Sequence, residues 1–409
     1  MHEDWAIVVL GFLIIAIVVF GLNIPVPKFS WKNSQELLHV LRAENLGFAA
    51  AQFGFVYVFA VAAAWLTTAR ITNMLIVFPV IALLTFIALI LAGNETVKSL
   101  NLEAVIFSLG TGLLVSNVFN LPEWFRKSLS AELFVKIGLV LLGTSVIFSD
   151  ILKAGGLGLV QALLVVVAVW YFAYWLCKKM HVDDDLTMMI ASSVSICGVS
   201  AAIATAGAIH GDTRKLSYVI SLVLITAIPM MIVMPWAANA LNLPEAVTGA
   251  WIGGSIDTTG AVVASGTLVG DTALKISTIV KFSQNVLLGI AAFAISVYWT
   301  YTGRDAVDGA SKKPTLSVIW ERFPKFVLGF VAASLLFSFA LSAETISNVK
   351  SSLKSIQTLW FVLAFTSIGL ETRFSDLFNA QGKKPLIAFV TAQTFNILFT
   401  LIVAWFLFS

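Results

Sequence analysis

Charge is what this sequence has least of. Only 11% of its 409 residues are Asp, Glu, Lys or Arg, against 59% hydrophobic residues and a mean hydropathy of +0.95. Soluble domains carry roughly 25% charged residues, so the chain lacks the polar supply to cover a water-facing surface of its own size. Lipid is the solvent that remains. Cysteine is nearly absent too: Cys177 and Cys197 both sit in or beside apolar runs. Two cysteines exclude a disulfide framework and a four-cysteine metal site. Four histidines, two of them toward the amino terminus, exclude a clustered zinc centre. The net charge of +3 is small and its basic residues are scattered among short loops, which excludes a nucleic-acid partner. A phosphate-binding glycine loop, a nucleophile elbow and a His-Glu-x-x-His signature are all missing, so neither enzymatic chemistry nor an organic cofactor is expected.

Long apolar runs are what the sequence has. A helix needs about 20 mostly apolar residues to cross a bilayer. Runs that qualify are 5–22, 48–67, 72–92, 101–118, 131–148, 156–177, 186–209, 216–240, 247–268, 273–301, 323–342, 355–372 and 385–408. An all-α membrane protein with eleven to thirteen crossings is therefore expected. The chain begins acidic, with Glu3 and Asp4, and its first run ends at Asn23-Ile24-Pro25. A signal peptide would begin basic and end at small residues, so this run reads as a retained span. The longest polar intervals, 23–47 and 302–322, are too short for soluble domains. The first, with Trp31, Glu36, Leu37, Leu38 and Leu41, reads either as an interfacial amphipathic helix or as a plain loop. Asp183-Asp184-Asp185 follows Lys178 and Lys179 and precedes an apolar run, which suits a solvated loop and helix start better than a metal site.

Orientation follows from where lysine and arginine collect near the spans. Arg126/Lys127, Lys178/Lys179, the group from Arg304 to Lys325, and Lys383/Lys384 all fall on one side under this count. Lys28, Lys32 and Arg42 fall on the other. An internal echo relates Gly143–Gly156 to Gly369–Gly382, with Phe148-Ser149-Asp150 answering Phe374-Ser375-Asp376. The offset of 226 residues spans an odd number of runs, as an inverted repeat requires.

Two runs carry interruptions that a lipid-facing helix would not tolerate: 191–202, with Ser195, Cys197, Gly198 and Ser200, and 253–266, with Ser255, Asp257, Thr258 and Thr259. Close packing of small residues is one reading. The other is a broken helix, which membranes admit only where it is buried in protein or lines a watery cavity. Half-helix amino termini then offer N–H groups and a positive dipole end to an anion. Asp257 lies ten residues from Val247 and eleven from Leu268, near the middle of its run. A charge there costs at least about 2.5 kcal/mol unless it is protonated or paired, which makes it a functional candidate. Lys281 and Asn285 lie one turn apart in the next run, with Gln284 beside them. Lys281 would neutralise Asp257, meet an anionic substrate or snorkel to the interface. Lys136 and Lys275 read as interfacial lysines.

At these residues the chain resembles the sulfate exporter family of YeiH-like multi-pass membrane proteins. The resemblance runs from about Leu102 to the carboxyl terminus. It rests on Gly110–Asn117, Lys136–Gly143, Cys197–Ala201, Asp257-Thr258 with Val262–Ala264, Val280-Lys281, Phe323–Phe330, and Ile368–Leu370 leading to Gly382–Pro385. It implies a protein of the bacterial inner membrane with a panel-and-core transporter fold, inverted repeats and two broken helices. Residues 1–100 would be amino-terminal spans with an interfacial loop, and 101–409 the family-matching transporter region. Many members carry histidine where this chain has Ile256 and a basic residue where it has Gln284. Both departures make the site less cationic and weigh against a sulfate-like dianion.

The expected function is a secondary transporter of a small anion, a sulfur oxyanion or an organic acid. Ser195, Cys197, Gly198 and Ser200 would line one half of the site, and Ser255, Thr258 and Thr259 the other. Lys281 and Asn285 would bind substrate, and Asp257 would couple transport to H+ or Na+, with sodium the one metal expected. Membrane lipid and the anion are the expected partners, with a homodimer left open. The alternatives are a sodium/proton-type cation antiporter and a membrane sensor that binds without translocating.

Overall fold

The computed structural model describes residues 3–21, 24–67, 71–99, 104–209, 211–301, 320, 323–372 and 383–409. Most of the loop from Arg304 to Lys325 and the second copy of the echo beyond Thr372 lie outside these. In chain order the helices are α1 (Glu3–Val19), α2 (Ser34–Val40), α3 (Ala43–Leu66), α4 (Ile71–Ala92), α5 (Glu95–Ser99), α6 (Ala104–Val118), α7 (Glu123–Arg126), α8 (Ala131–Leu142) and α9 (Phe148–Lys179). There follow α10 (Asp184–Ser192), α11 (Val199–Ile209), α12 (Thr213–Ala240), α13 (Glu245–Ser255), α14 (Thr259–Val269), α15 (Asp271–Tyr301), α16 (Lys325–Leu335), α17 (Ala343–Glu371) and α18 (Lys383–Phe408). Strand pairing among the described residues is limited to one bridge, Trp31 with Asn94.

Every expected apolar run is helical where it is described. Among the described residues, eight helical segments are long and apolar enough to cross a membrane. The other five runs differ for physical reasons: α1, α6 and α16 are short, and two runs are interrupted where the small and hydroxylated residues cluster. The protein is thus an all-α, multi-pass membrane protein. In the 23–47 interval Ser34–Val40 is a short helix, capped by Asn33, whose side chain accepts from the Glu36 amide, and α3 begins at Ala43. Asp183 caps α10, accepting from the amides of Asp185 and Leu186, and Lys215 donates to it at 2.6 Å. Partial burial raises the Asp183 carboxyl, but Lys215 and the two amides outweigh it and hold it below the usual carboxylate value. The triple aspartate is a helix start, as its position predicted.

The chain divides into two compact units, one of residues 1–151 and 325–373, the other of residues 152–324 and 374–409. In the first, α17 packs along α6 and α8 where glycine lets backbones touch. A Cβ on Gly369 would lie 2.4 Å from the Leu109 carbonyl oxygen, and one on Gly143 would lie 2.3 Å from that of Phe330. The two contacts share a pattern. Ser116 Oγ donates to the carbonyl of Thr372, three residues past Gly369, and Ser334 Oγ donates to that of Val146, three residues past Gly143. The accepting carbonyls recur at the offset of the echo, and within each copy the chain passes from the first unit to the second.

Lys136 lies among three carboxylates. Its ammonium is held 3.2 Å from Asp4, 3.4 Å from Glu3 and 3.6 Å from Glu132. Asp4 also accepts from the Lys325 amide at 2.9 Å. The acidic start of α1 thereby closes over a half-buried lysine on α8.

Candidate functional site

The site is built wholly within the second unit, from its two interrupted helices. Helix α10 gives way at Ser193–Cys197 to a wider π-type turn, closed by a bond from the Gly198 amide to the Ser193 carbonyl. Gly198 has φ +59° and ψ −111°, a conformation that glycine adopts without Cβ strain. The chain then restarts as α11. The second run ends α13 at Ser255, passes extended through Ile256, and restarts as α14 with Thr258 as cap, its Oγ1 accepting from the Ala261 amide.

The two breaks touch. A Cβ on Gly198 would lie 2.6 Å from Val223 Cγ1 and 3.0 Å from Asp257 Cβ. Breaking a helix frees carbonyls, and in an apolar interior each must find a donor. Lys281 Nζ donates to Ile196 O at 2.8 Å and to Gln284 Oε1 at 3.0 Å. Gln284 Nε2 donates to Gly254 O at 2.9 Å. Gln393 Nε2 takes Ser255 O at 2.8 Å. Asn396 Nδ2 bridges both breaks, at 2.9 Å to Val194 O and 3.2 Å to Ser255 O, while its Oδ1 accepts from Thr400 at 2.8 Å. The carboxyl-terminal ends of the broken helices are thus capped by side chains of α15 and α18. Helices α11 and α14 restart directly at these breaks, the second capped by the Thr258 hydroxyl, and each carries the positive end of its dipole there.

Most of the residues expected from sequence converge here. Ser195 is buried, with its hydroxyl bonded back to Ala191 O, and Cys197 ends the π-turn. Asp257 is 1% exposed, and its Oδ2 has no hydrogen-bond partner. Lys281 is also 1% exposed, so it does not snorkel. Its ammonium is engaged by Ile196 O and Gln284 Oε1. Asn285 Nδ2 donates to Thr259 Oγ1 at 3.3 Å. Ser200 differs: it lies in the first turn of α11 and is exposed.

Sequence reasoning missed Gln393, Asn396 and Thr400 of α18, and Gln161 of α9, which donates to Ala250 O at 2.7 Å. Their signal was present: amides within otherwise apolar spans, with Gln393 and Asn396 one turn apart. Among the described residues no three His, Cys, Asp or Glu side chains group as metal ligands.

A family model described as conserved hypothetical protein 698 matches residues 73–389. A UPF0324 membrane protein of Rhodopirellula baltica is 41% identical over 342 residues, 81% of this chain and 62% of its own length. Two UPF0324 membrane proteins of Nitratidesulfovibrio vulgaris are 38% and 36% identical, over 79% and 83% of this chain and 57% and 60% of theirs. The chain therefore spans about three fifths of the length of these relatives. No solved structure matches it. The matched region takes in both interrupted helices and agrees with the YeiH-like resemblance; the chain belongs to the family of conserved hypothetical protein 698, the UPF0324 membrane proteins.

Proposed function

We propose that this protein is a secondary transporter of a small anion, coupled to H+ or Na+ through Asp257, in a bacterial cytoplasmic membrane. One observation carries the reading. Two broken helices meet at Gly198 and Asp257, with the freed carbonyls of their first halves capped by α15 and α18 and their second halves restarting at the meeting point. Amino-terminal half-helices at mid-membrane suit an anion, and Lys281 adds positive charge. The bacterial sources of the relatives and the helical spans support the cytoplasmic membrane. A carboxylate that gains and loses a cation as the site changes face provides coupling.

Asp257→Asn keeps shape and removes the charge. In proteoliposomes it is expected to abolish gradient-driven anion accumulation while elution and helicity stay normal. Accumulation with the wild-type dependence on pH and sodium would remove Asp257 from the coupling step.

A cation antiporter is the second reading, favoured by the acceptor-rich surroundings of Asp257. Cation exchange that ignores every anion tested would establish it in place of the first.

A further inference from the structure

Four buried side-chain oxygens in this region have no hydrogen-bond partner: Ser255 Oγ, Asp257 Oδ2, Asn285 Oδ1 and Gln393 Oε1. They belong to one neighbourhood. Ser255 and Asp257 flank Ile256 in the break, Asn285 is bonded to Thr259 just beyond it, and Gln393 is bonded to the Ser255 carbonyl and lies against the Asp257 carboxyl. The orientation of the Gln393 amide is fixed by that bond, since only its nitrogen can donate to a carbonyl. Buried acceptors left without donors are costly, and a cluster of them asks for an occupant.

A proton satisfies one oxygen, whereas an oxygen-liganded cation satisfies several. Carboxylate, amide and hydroxyl oxygens are the ligands of hard cations, and softer metals prefer nitrogen and sulfur. One carboxylate with the Lys281 ammonium in electrostatic reach offers too little negative charge for a divalent ion. We propose that Ser255, Asp257, Asn285 and Gln393 form a binding site for sodium in the break between α13 and α14.

The inference rests on the transporter reading above and names both its coupling ion and the charge of its substrate. With Asp257 ionised and Lys281 protonated the pair is formally neutral. Binding one sodium leaves a single positive charge beside the amino termini of α11 and α14. That charge is balanced by a small monoanion, such as a short carboxylate, and not by a dianion. Sodium and the anion then favour one another's binding, reciprocally.

The test is equilibrium binding of radiolabelled sodium to purified full-length protein, with choline as the replacing cation. Wild type is expected to bind saturably, and acetate to tighten binding more than sulfate does. Asp257→Asn is expected to lose binding. Asn285→Leu is expected to weaken it by about tenfold or more, as loss of a supporting ligand does, while Asn285→Asp, which keeps an oxygen, retains it. Wild-type affinity in a monodisperse Asn285→Leu protein overturns the site, as does absence of sodium binding in wild type. Anion flux driven by a pH gradient in sodium-free vesicles separates the two levels. If that flux persists at full rate, the sodium site falls and the transporter stands. If neither sodium nor any anion binds or moves, the transporter reading falls as well.

Discussion

Lys281→Met is expected to lose transport completely and to cost roughly 3–5 kcal/mol of stability, the range for removing one member of a buried charged set. The methylene stem is kept, so the loss is chemical rather than one of volume. Without the ammonium, the buried Ile196 O and Gln284 Oε1 lose their donor. The described residues give Asp257 no other nearby cation. Lys281→Gln separates the two contributions. Its amide can donate to Ile196 O but carries no charge, so part of the stability returns while transport stays lost. Thermal unfolding in detergent and flux in proteoliposomes read the two separately. Full activity in Lys281→Gln would show that the lysine serves only as a carbonyl cap.

Gly198→Val is the second severe substitution. Its backbone lies at positive φ, where a side chain costs about 1–3 kcal/mol. Its Cβ would meet both Val223 and Asp257, and overpacking adds about 1–3 kcal/mol more. Relief can come only by separating the two breaks, which dismantles the site. The expected result is a protein that folds poorly and moves no anion. Gly54→Ala is the control: it lies within α3 with nothing within 4 Å of the added carbon, and it is expected to change stability by no more than about 1 kcal/mol, upward. Equal tolerance at the two positions would mean that the breaks do not touch.

The sequence made the exceptions legible because lipid selects so strongly against them. Ser, Gly and Asp clustered inside runs 191–202 and 253–266 marked the breaks, and both are found there. The thirteen runs were readable for the same reason, although length alone could not tell a spanning helix from two halves or from the short α1, α6 and α16. What escaped was pairing between distant positions. Gln393 and Asn396 serve carbonyls some 140 to 200 residues away, and a carbonyl has no signature in sequence. The partners of Lys136 on α1 likewise lie 132 and 133 residues earlier, a pairing that its own run does not reveal. Lys281 was recognised, but whether it snorkelled depended on a neighbour, the freed carbonyl of Ile196, that only the broken turn creates.

That the meeting point of the two breaks is a translocation site, open in turn to each face of the membrane, is tested most directly at Cys197. It ends the π-turn beside Gly198, and in a Cys177→Ser background it is the only thiol in the sequence. Right-side-out and inverted vesicles treated with a membrane-impermeant maleimide are expected to label Cys197 from both faces, more slowly when sodium and a bound anion hold the site. Labelling from neither face, with the anion still binding, would contradict translocation and make the protein a sensor.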